Sequence, residues 1–505
     1  MVFNSLTFVV FFAAVLVLYF RLPHRGQNVL LLIASYVFYG AWDWRFCSLL
    51  LASTTVDWWV GLHLDPDLPQ AYRRRVLFLS CVFNLGFLGL FKYYGFFLHS
   101  FVDLAARFGW HPHPTILAIA LPIGISFYTF QSMSYTIEVY RNHLRPCRSY
   151  LEYATFVAFF PHMVAGPIMR ATSLLPQVQK PRVVTRAHVY DGLRLILWGL
   201  YKKMVVADTM ALVADPIFAL PAPYTFSQVF VGVLAFAFQI YGDFSGYSDI
   251  ARGTANLMGF QLIVNFDLPY FATSPQDFWR RWHISLSTWL RDYLYVSLGG
   301  NRLGRVRTYG NLLLTMLLGG LWHGANWTFV AWGAYHGTLL AAHRAITEWR
   351  DGRRAAASEV PGGDDRVDRV PPPPGTSRGA DRSLRGAEHH VRWRFSWAWL
   401  VSVAFMFCLT LYGWLLFRCH TFGQIAAMTH AIFTGPPGHE WSRLGTIAFY
   451  TVPLLVVQFF QLRSGDLDTA RRAPVWAQTV AYLFCIYSII LFGVFRGAAF
   501  IYFQF

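Results

Sequence analysis

The sequence predicts an all-α, polytopic integral membrane protein, with about 11 or 12 transmembrane helices plus re-entrant segments and interfacial helices. Three observations lead there. Of 505 residues, 55% are hydrophobic and only 13% charged, about half the charged share of a soluble domain. Apolar runs recur at 8–20, 29–39, 76–90, 193–200, 229–240, 397–417 and 475–494, several of them approaching the roughly 20 residues that cross a bilayer. These runs do not alternate apolar with polar residues, so a membrane β-barrel is excluded.

Charge orients the spans. Lys and Arg number 42 against 26 Asp and Glu, a formal charge of +16. No nucleic-acid motif accompanies that charge, so nucleic acid is not an expected partner. In a chain this apolar the excess belongs in cytoplasmic loops. Residues 1–20 carry no basic segment ahead of the apolar run and no small-residue cleavage site, so that run is expected to stay as the first helix. Basic clusters follow it (Arg21, Arg25), precede the fourth helix (Arg73, Arg74, Arg75) and follow the fifth (Arg141, Arg145, Arg148). More lie at Lys180, Arg182 and Arg186 and through 252–307. The loops between, around Asp43, 101–114 and 214–226, are almost free of Lys and Arg. That alternation places the N-terminus outside and the basic loops in the cytoplasm.

Several segments depart from plain spans. Pro122 and Gly124 are expected to kink the fifth helix, and the two prolines and one glycine in 159–167 to break a helix into a re-entrant loop. Residues 275–295 place Phe278, Trp282, Leu286, Trp289 and Tyr293 on one helical face and Asp277, Arg281, Thr288 and Arg291 on another. An aromatic, arginine-bearing amphipathic helix of this kind is expected to lie in the membrane interface, started by Ser274 and Pro275. Gly242 and Gly246 form a G-x-x-x-G that permits close helix contact. Beside them, Asp243 is either part of that packing or a wall that orients a catalytic group or pairs Arg280 and Arg281. Three regions are expected: a membrane core over 1–350, a basic disordered cytoplasmic insert over 351–394 rich in Pro, Arg, Asp and Gly, and further helices of the same domain over 395–505.

The chemistry concentrates at His323, inside Leu318-Gly-Gly-Leu-Trp-His-Gly-Ala-Asn-Trp327. An imidazole in an apolar stretch is costly unless it lines a cavity or reacts. Gly319, Gly320 and Gly324 suggest a backbone that turns and approaches a ligand. Both flanks of 309–345 are basic, so the segment enters and returns on one side, and its first limb, 311–322, is only about 12 residues or about 18 Å long. A hairpin that short would hold His323 in a buried, hydrated pocket within the membrane. His283 and His336 are secondary candidates, since a lone histidine on a packed helix is more often a hydrogen-bonded core residue. The sequence has no Gly-x-Ser-x-Gly and no His-Glu-x-x-His. Cys47, Cys81, Cys147, Cys408, Cys419 and Cys485 form no Cys-x-x-Cys pair, so neither a metal site nor a disulfide framework is expected.

Several stretches in combination resemble the membrane-bound O-acyltransferase family, in the branch of bacterial alginate O-acetyltransferases. They are Ser126-Phe-Tyr-Thr-Phe-Gln131, Phe159-Phe-Pro-His-Met-Val-Ala-Gly-Pro167, Tyr201-Lys-Lys203, Asp243-Phe-Ser-Gly-Tyr-Ser-Asp249, the Asp277–Asp292 segment, Leu298-Gly-Gly-Asn-Arg302, 311–327 and Phe500-Ile-Tyr-Phe-Gln-Phe505. The resemblance implies funnels from both faces meeting at a catalytic histidine, which maps onto His323, and acyl transfer from a cytoplasmic thioester to an outer hydroxyl. On that view His323 is the general base, and the Gly324 amide or the Asn326 side chain stabilises the oxyanion. Arg280, Arg281, Lys202 and Lys203 hold the phosphates of the donor, expected to be acetyl-CoA. The expected acceptor is an extracytoplasmic polysaccharide such as alginate, reached directly or through a partner protein, at the bacterial inner membrane. Peptidoglycan or teichoic acid is the alternative acceptor, and a transporter with His323 in its path is the competing class.

Overall fold

A computed structural model describes residues 1–112, 121–164, 166–358, 396–495 and 500–501. Among the described residues every regular element is a helix. The first body is α1 (Leu6–Tyr19), α2 (His24–Gly40), α3 (Cys47–Leu62), and a long rod of α4 (Gln70–Leu88), a π turn (Gly89–Tyr93) and α5 (Tyr94–Arg107). Then follow α6 (Ile125–Tyr140), α7 (Tyr150–Ala158), α8 (Phe160–Met163) and α9 (Ala171–Gln179). The centre is α10 (Arg186–Leu200), a second π turn (Tyr201–Ala207), α11 (Asp208–Phe218) and α12 (Phe226–Leu257). Ser and Thr caps open many of these helices; Thr225 forms a reciprocal capping box with Gln228 at the start of α12.

The long helix α12 is the axis, 89% buried over its most apolar window. It packs backbone to backbone on α10: a Cβ at Gly253 would lie 2.5 Å from the Gly192 carbonyl oxygen, and one at Gly246 2.8 Å from that of Gly199. The small residues of the G-x-x-x-G therefore serve helix contact.

Residues 275–295 are not one helix. They form α13 (Pro275–Arg281), α14 (Ile284–Trp289) and a third π turn (Leu290–Tyr295), broken at His283, whose φ is +44°. Phe278, Trp282, Leu286, Trp289 and Tyr293 are all buried, against partners that include Trp414, His336 and Phe130. The expected amphipathic face is real, but protein rather than lipid covers it. Pro122 and Gly124 precede α6 instead of kinking a helix; Gly124 sits at its start with φ +75°. The broken segment at 159–167 appears as the short α8, held by Gln131, whose Nε2 lies 2.7 Å from the Phe156 carbonyl and 3.0 Å from His162 Nε2.

Helices α15 (Arg305–His323) and α16 (Trp327–Ser358) form the histidine hairpin. Its first limb is 19 residues, about 28 Å at 1.5 Å per residue, close to a full ~30 Å hydrocarbon core. The expected short limb is therefore corrected: helix starts already at Arg305, because the basic residues of the flanking segment, Arg305 and Arg307, are themselves helical. Gly319 and Gly320 lie inside α15 and do not turn the chain. They allow contact: a Cβ at Gly320 would come 2.1 Å from the Phe329 carbonyl oxygen, and one at Gly333 2.3 Å from that of Met316. Helix α16 runs to Ser358, past the boundary expected at 350; the remainder of the expected insert, 359–394, lies outside the described residues.

The chain continues with α17 (Trp397–Arg418), α18 (Phe422–Thr434), α19 (Arg443–Ser464) and α20 (Val475–Phe492). Among the described residues five helical stretches are long and apolar enough to cross a membrane by length and composition. That is fewer than the crossings expected, because helices such as α2, α3 and α6 have only 16 or 17 residues.

Candidate active site

His323 ends α15 and is 4% exposed. Rings from four elements close on it: Trp322 of α15 at 5.1 Å between centroids, Trp332 of α16 at 5.0 Å, Phe417 of α17 at 5.5 Å, and His283 of the α13–α14 break at 6.4 Å. The pocket expected is buried and hydrated; His323 is buried, and the space around it is filled by these rings. Two apolar cavities of about 600 and 580 Å³ lie elsewhere, one beside α2 and α3 and one along the α4–α5 rod; neither is lined by His323. The polar character of the centre shows differently. Trp322 Nε1, Trp332 Nε1, Trp279 Nε1, His283 Nε2 and His336 Nδ1 are buried without a hydrogen-bond partner among the described residues. Their rings form one contiguous chain with His323: His283–Trp322 at 6.0 Å, Trp332–His336 at 4.8 Å and Trp279–His336 at 5.2 Å. Buried polar atoms are normally satisfied, so a concentration of unsatisfied ones marks where water or a ligand's polar groups belong.

His283 has a defined tautomer. Asn265 Oδ1 accepts from the Ser285 amide at 3.2 Å and the Ser285 hydroxyl at 2.9 Å, so the His283 Nδ1 that meets it at 3.2 Å must donate. A neutral ring then carries its lone pair on Nε2. The Ile284 amide also donates to the Asn265 carbonyl at 2.9 Å, and Asn265 Nδ2 donates to Ser248 Oγ on α12 at 3.2 Å. One asparagine therefore holds the left-handed break that presents His283, which is 0% exposed. Trp332 lies between His323 and His336, touching both rings, and His336 also stacks on Phe278 at 5.9 Å.

Other expected residues are placed differently. The Asn326 side chain is spent on structure: Nδ2 donates to the His420 carbonyl at 3.1 Å and Oδ1 accepts from the Thr328 amide at 3.0 Å, capping α16. Gly324 is buried, and its N–H closes on Gly320 O at 3.4 Å. Asp243 neither orients His323 nor pairs Arg280 or Arg281. It faces Lys203 Nζ at 2.7 Å and accepts from the Ile501 amide at 2.6 Å, clamping the last described segment onto α12.

Of the four cations expected at the donor, three are neutralised internally. Lys202 meets Asp249 at 2.6 Å and Ser245 at 3.0 Å, and Lys203 bridges Asp243 and Asp208, the latter at 2.8 Å. Arg281 pairs with Asp277 at 2.9 Å. Arg280 is exposed, beside Trp279 on α13. Lys92 is not among the residues expected at the site, yet its Nζ lies 2.5 Å from the Trp322 carbonyl oxygen. A lone cation inside the apolar run 86–97 was the available signal.

The profile of the membrane-bound O-acyltransferase family matches residues 139–357. A probable alginate O-acetylase of Azotobacter vinelandii is 42% identical, over 86% of this chain and 78% of the relative. Another, from Pseudomonas putida, is 39% identical over 94% and 91%. A peptidoglycan O-acetyltransferase of Helicobacter pylori is 38% identical over 69% and 71%.

Proposed function

This chain belongs to the membrane-bound O-acyltransferase family, and from that membership we propose that it moves an acetyl group from a cytoplasmic thioester to a hydroxyl of an extracytoplasmic polysaccharide. It is a multi-pass membrane O-acyltransferase. The donor is acetyl-CoA, the membrane the bacterial inner membrane, and the acceptor a polymer such as alginate, reached directly or through a partner protein that relays the group. The identity to relatives named for alginate supports that acceptor; the relative named for peptidoglycan, at 38% identity, makes that polymer the second reading.

The observation that carries the mechanism is the buried imidazole of His323, with the partnerless indole N–H groups of Trp322 and Trp332 beside it and a second, oriented imidazole at His283. His323 takes the proton of the acceptor hydroxyl as its oxygen attacks the thioester carbonyl carbon. The indole N–H groups of Trp322 and Trp332 flank His323 and have no partner of their own. They take the oxyanion role that Asn326, committed to capping, does not fill. As the tetrahedral intermediate collapses, the C–S bond breaks, the thiolate recovers the proton from His323, and an O-acetyl ester and a free thiol leave. His283 Nε2, with Nδ1–H fixed by Asn265, accepts from a neighbouring hydroxyl of the acceptor sugar and so holds the reacting hydroxyl at His323. Arg280 attracts the donor's phosphates at the end of α13, and Trp279 and His336 offer polar atoms along the way inward.

In purified protein in lipid nanodiscs, His323→Gln should lower acetyl transfer from thioester to glycan about 10²- to 10⁴-fold, the usual value of a positioned base, with unchanged elution and melting. A folded His323→Gln protein that transfers at the wild-type rate overturns the assignment.

A further inference from the structure

The last four carbonyls of an α-helix have no partner within it, and at membrane depth each must find one. At the end of α15 all four are accounted for. The Gly324 amide closes on Gly320 O at 3.4 Å. The Tyr93 hydroxyl donates to Leu321 O at 3.0 Å. Lys92 Nζ donates to Trp322 O at 2.5 Å and to the carbonyl of His323 itself at 3.3 Å. Its third proton points to Ser126 Oγ at 3.4 Å.

Two consecutive residues thus serve three consecutive carbonyls, and the π turn Gly89–Tyr93 that ends with them is what allows it. A regular α-helix sets neighbouring side chains about 100° apart. The extra residue of a π turn widens the coil locally, and such turns gather at functional sites. Here it delivers a charge as well as a hydroxyl. The ammonium faces the negative end of the α15 dipole and lies 5.7 Å from the centre of the Trp322 ring.

We propose that Lys92 is a positioning residue of the acyl-transfer reaction: its ammonium pins the last turn of α15 and so sets the orientation of the His323 imidazole. All three N–H groups are engaged by protein atoms, so Lys92 acts through His323 and binds no substrate. This rests on His323 being the base.

The test compares Lys92→Met, Lys92→Arg, Tyr93→Phe and His323→Gln in nanodiscs, with acetyl-CoA as donor and an oligosaccharide of the acceptor polymer. A misplaced reacting group costs up to about 10²-fold. Lys92→Met should therefore lower kcat about 10- to 100-fold with KM for the donor within about twofold. Lys92→Arg, which restores the charge, should regain most of that loss. Tyr93→Phe removes only the neutral hydrogen bond two residues before His323 and should stay within about threefold of wild type. Should Lys92→Met not fold, Lys92→Gln, which keeps a donor without charge, is measured in its place against the same expectation. Wild-type kcat in the neutral variant overturns the proposal, as does a loss that Lys92→Arg leaves unrepaired and Tyr93→Phe reproduces. An active His323→Gln would instead overturn the base assignment; an inactive one beside a fully active Lys92→Met overturns only the role of Lys92.

Discussion

Gly324 follows the histidine directly, and its backbone is extended (φ −158°, ψ 149°), a conformation any residue adopts. Its constraint is space. A Cβ there would lie 2.1 Å from the Phe329 ring, and Phe329 in turn packs on Phe417 at 4.8 Å, one of the rings that cover His323. Gly324→Ala is therefore expected to cost about 1–3 kcal/mol, as overpacking does, and to reduce transfer by displacing Phe417; thermal unfolding in detergent and an acetyl-transfer assay check both. At this scale His323 was legible because an ionisable group in an apolar run is an anomaly that sequence displays. The role of Asn326 was not, because the carbonyl it holds belongs to His420, 94 residues away. Lys92 displayed the same anomaly as His323 and was passed over, since its partners are 230 residues off.

Among elements, the α13–α14 segment shows what periodicity conveys and what it omits. The spacing of Phe278, Trp282, Leu286, Trp289 and Tyr293 correctly marks a buried face. An apolar face looks the same in sequence whether lipid or protein covers it, and neither the break at His283 nor Asn265, which holds it, follows from spacing. The lysines of the second π turn carry a similar lesson: Lys202 and Lys203 look like phosphate ligands until the carboxylates of α11 and α12 appear beside them. Removing one partner of a buried ion pair costs about 3–5 kcal/mol, and Lys203 bridges two buried carboxylates. Lys203→Met should thus lower stability by about that much, read by denaturant or thermal unfolding. Arg280→Ala should leave stability within about 0.5 kcal/mol, as exposed substitutions do, and raise KM for the thioester. A Lys203→Met protein of normal stability with only a raised KM would return that lysine to the donor site.

For the whole molecule, hydropathy foretold the class, a helical membrane protein, better than the number of crossings. Apolar composition reports removal from water, and α12 is taken from water by other helices rather than by lipid. Charge alternation contributes the orientation. Helix α15 starts at Arg305 in the basic segment and runs about 28 Å to the buried His323. On that charge alternation the exposed Arg302 is expected on the cytoplasmic side and the exposed Trp44 outside. In a cysteine-free background, Trp44→Cys should react with an impermeant maleimide in intact cells and Arg302→Cys only after permeabilisation. The reverse pattern would invert the topology and put donor and acceptor on the wrong faces.

The glycine contacts between α15 and α16 have a mechanical consequence. At Gly320 and Gly333 not even a methyl group fits between the two backbones, so neither limb can slide or roll against the other, and the pair behaves as a single stave. Motion that uncovers the imidazole is therefore expected in the rings around it, such as Phe417 of α17, and not between the two limbs.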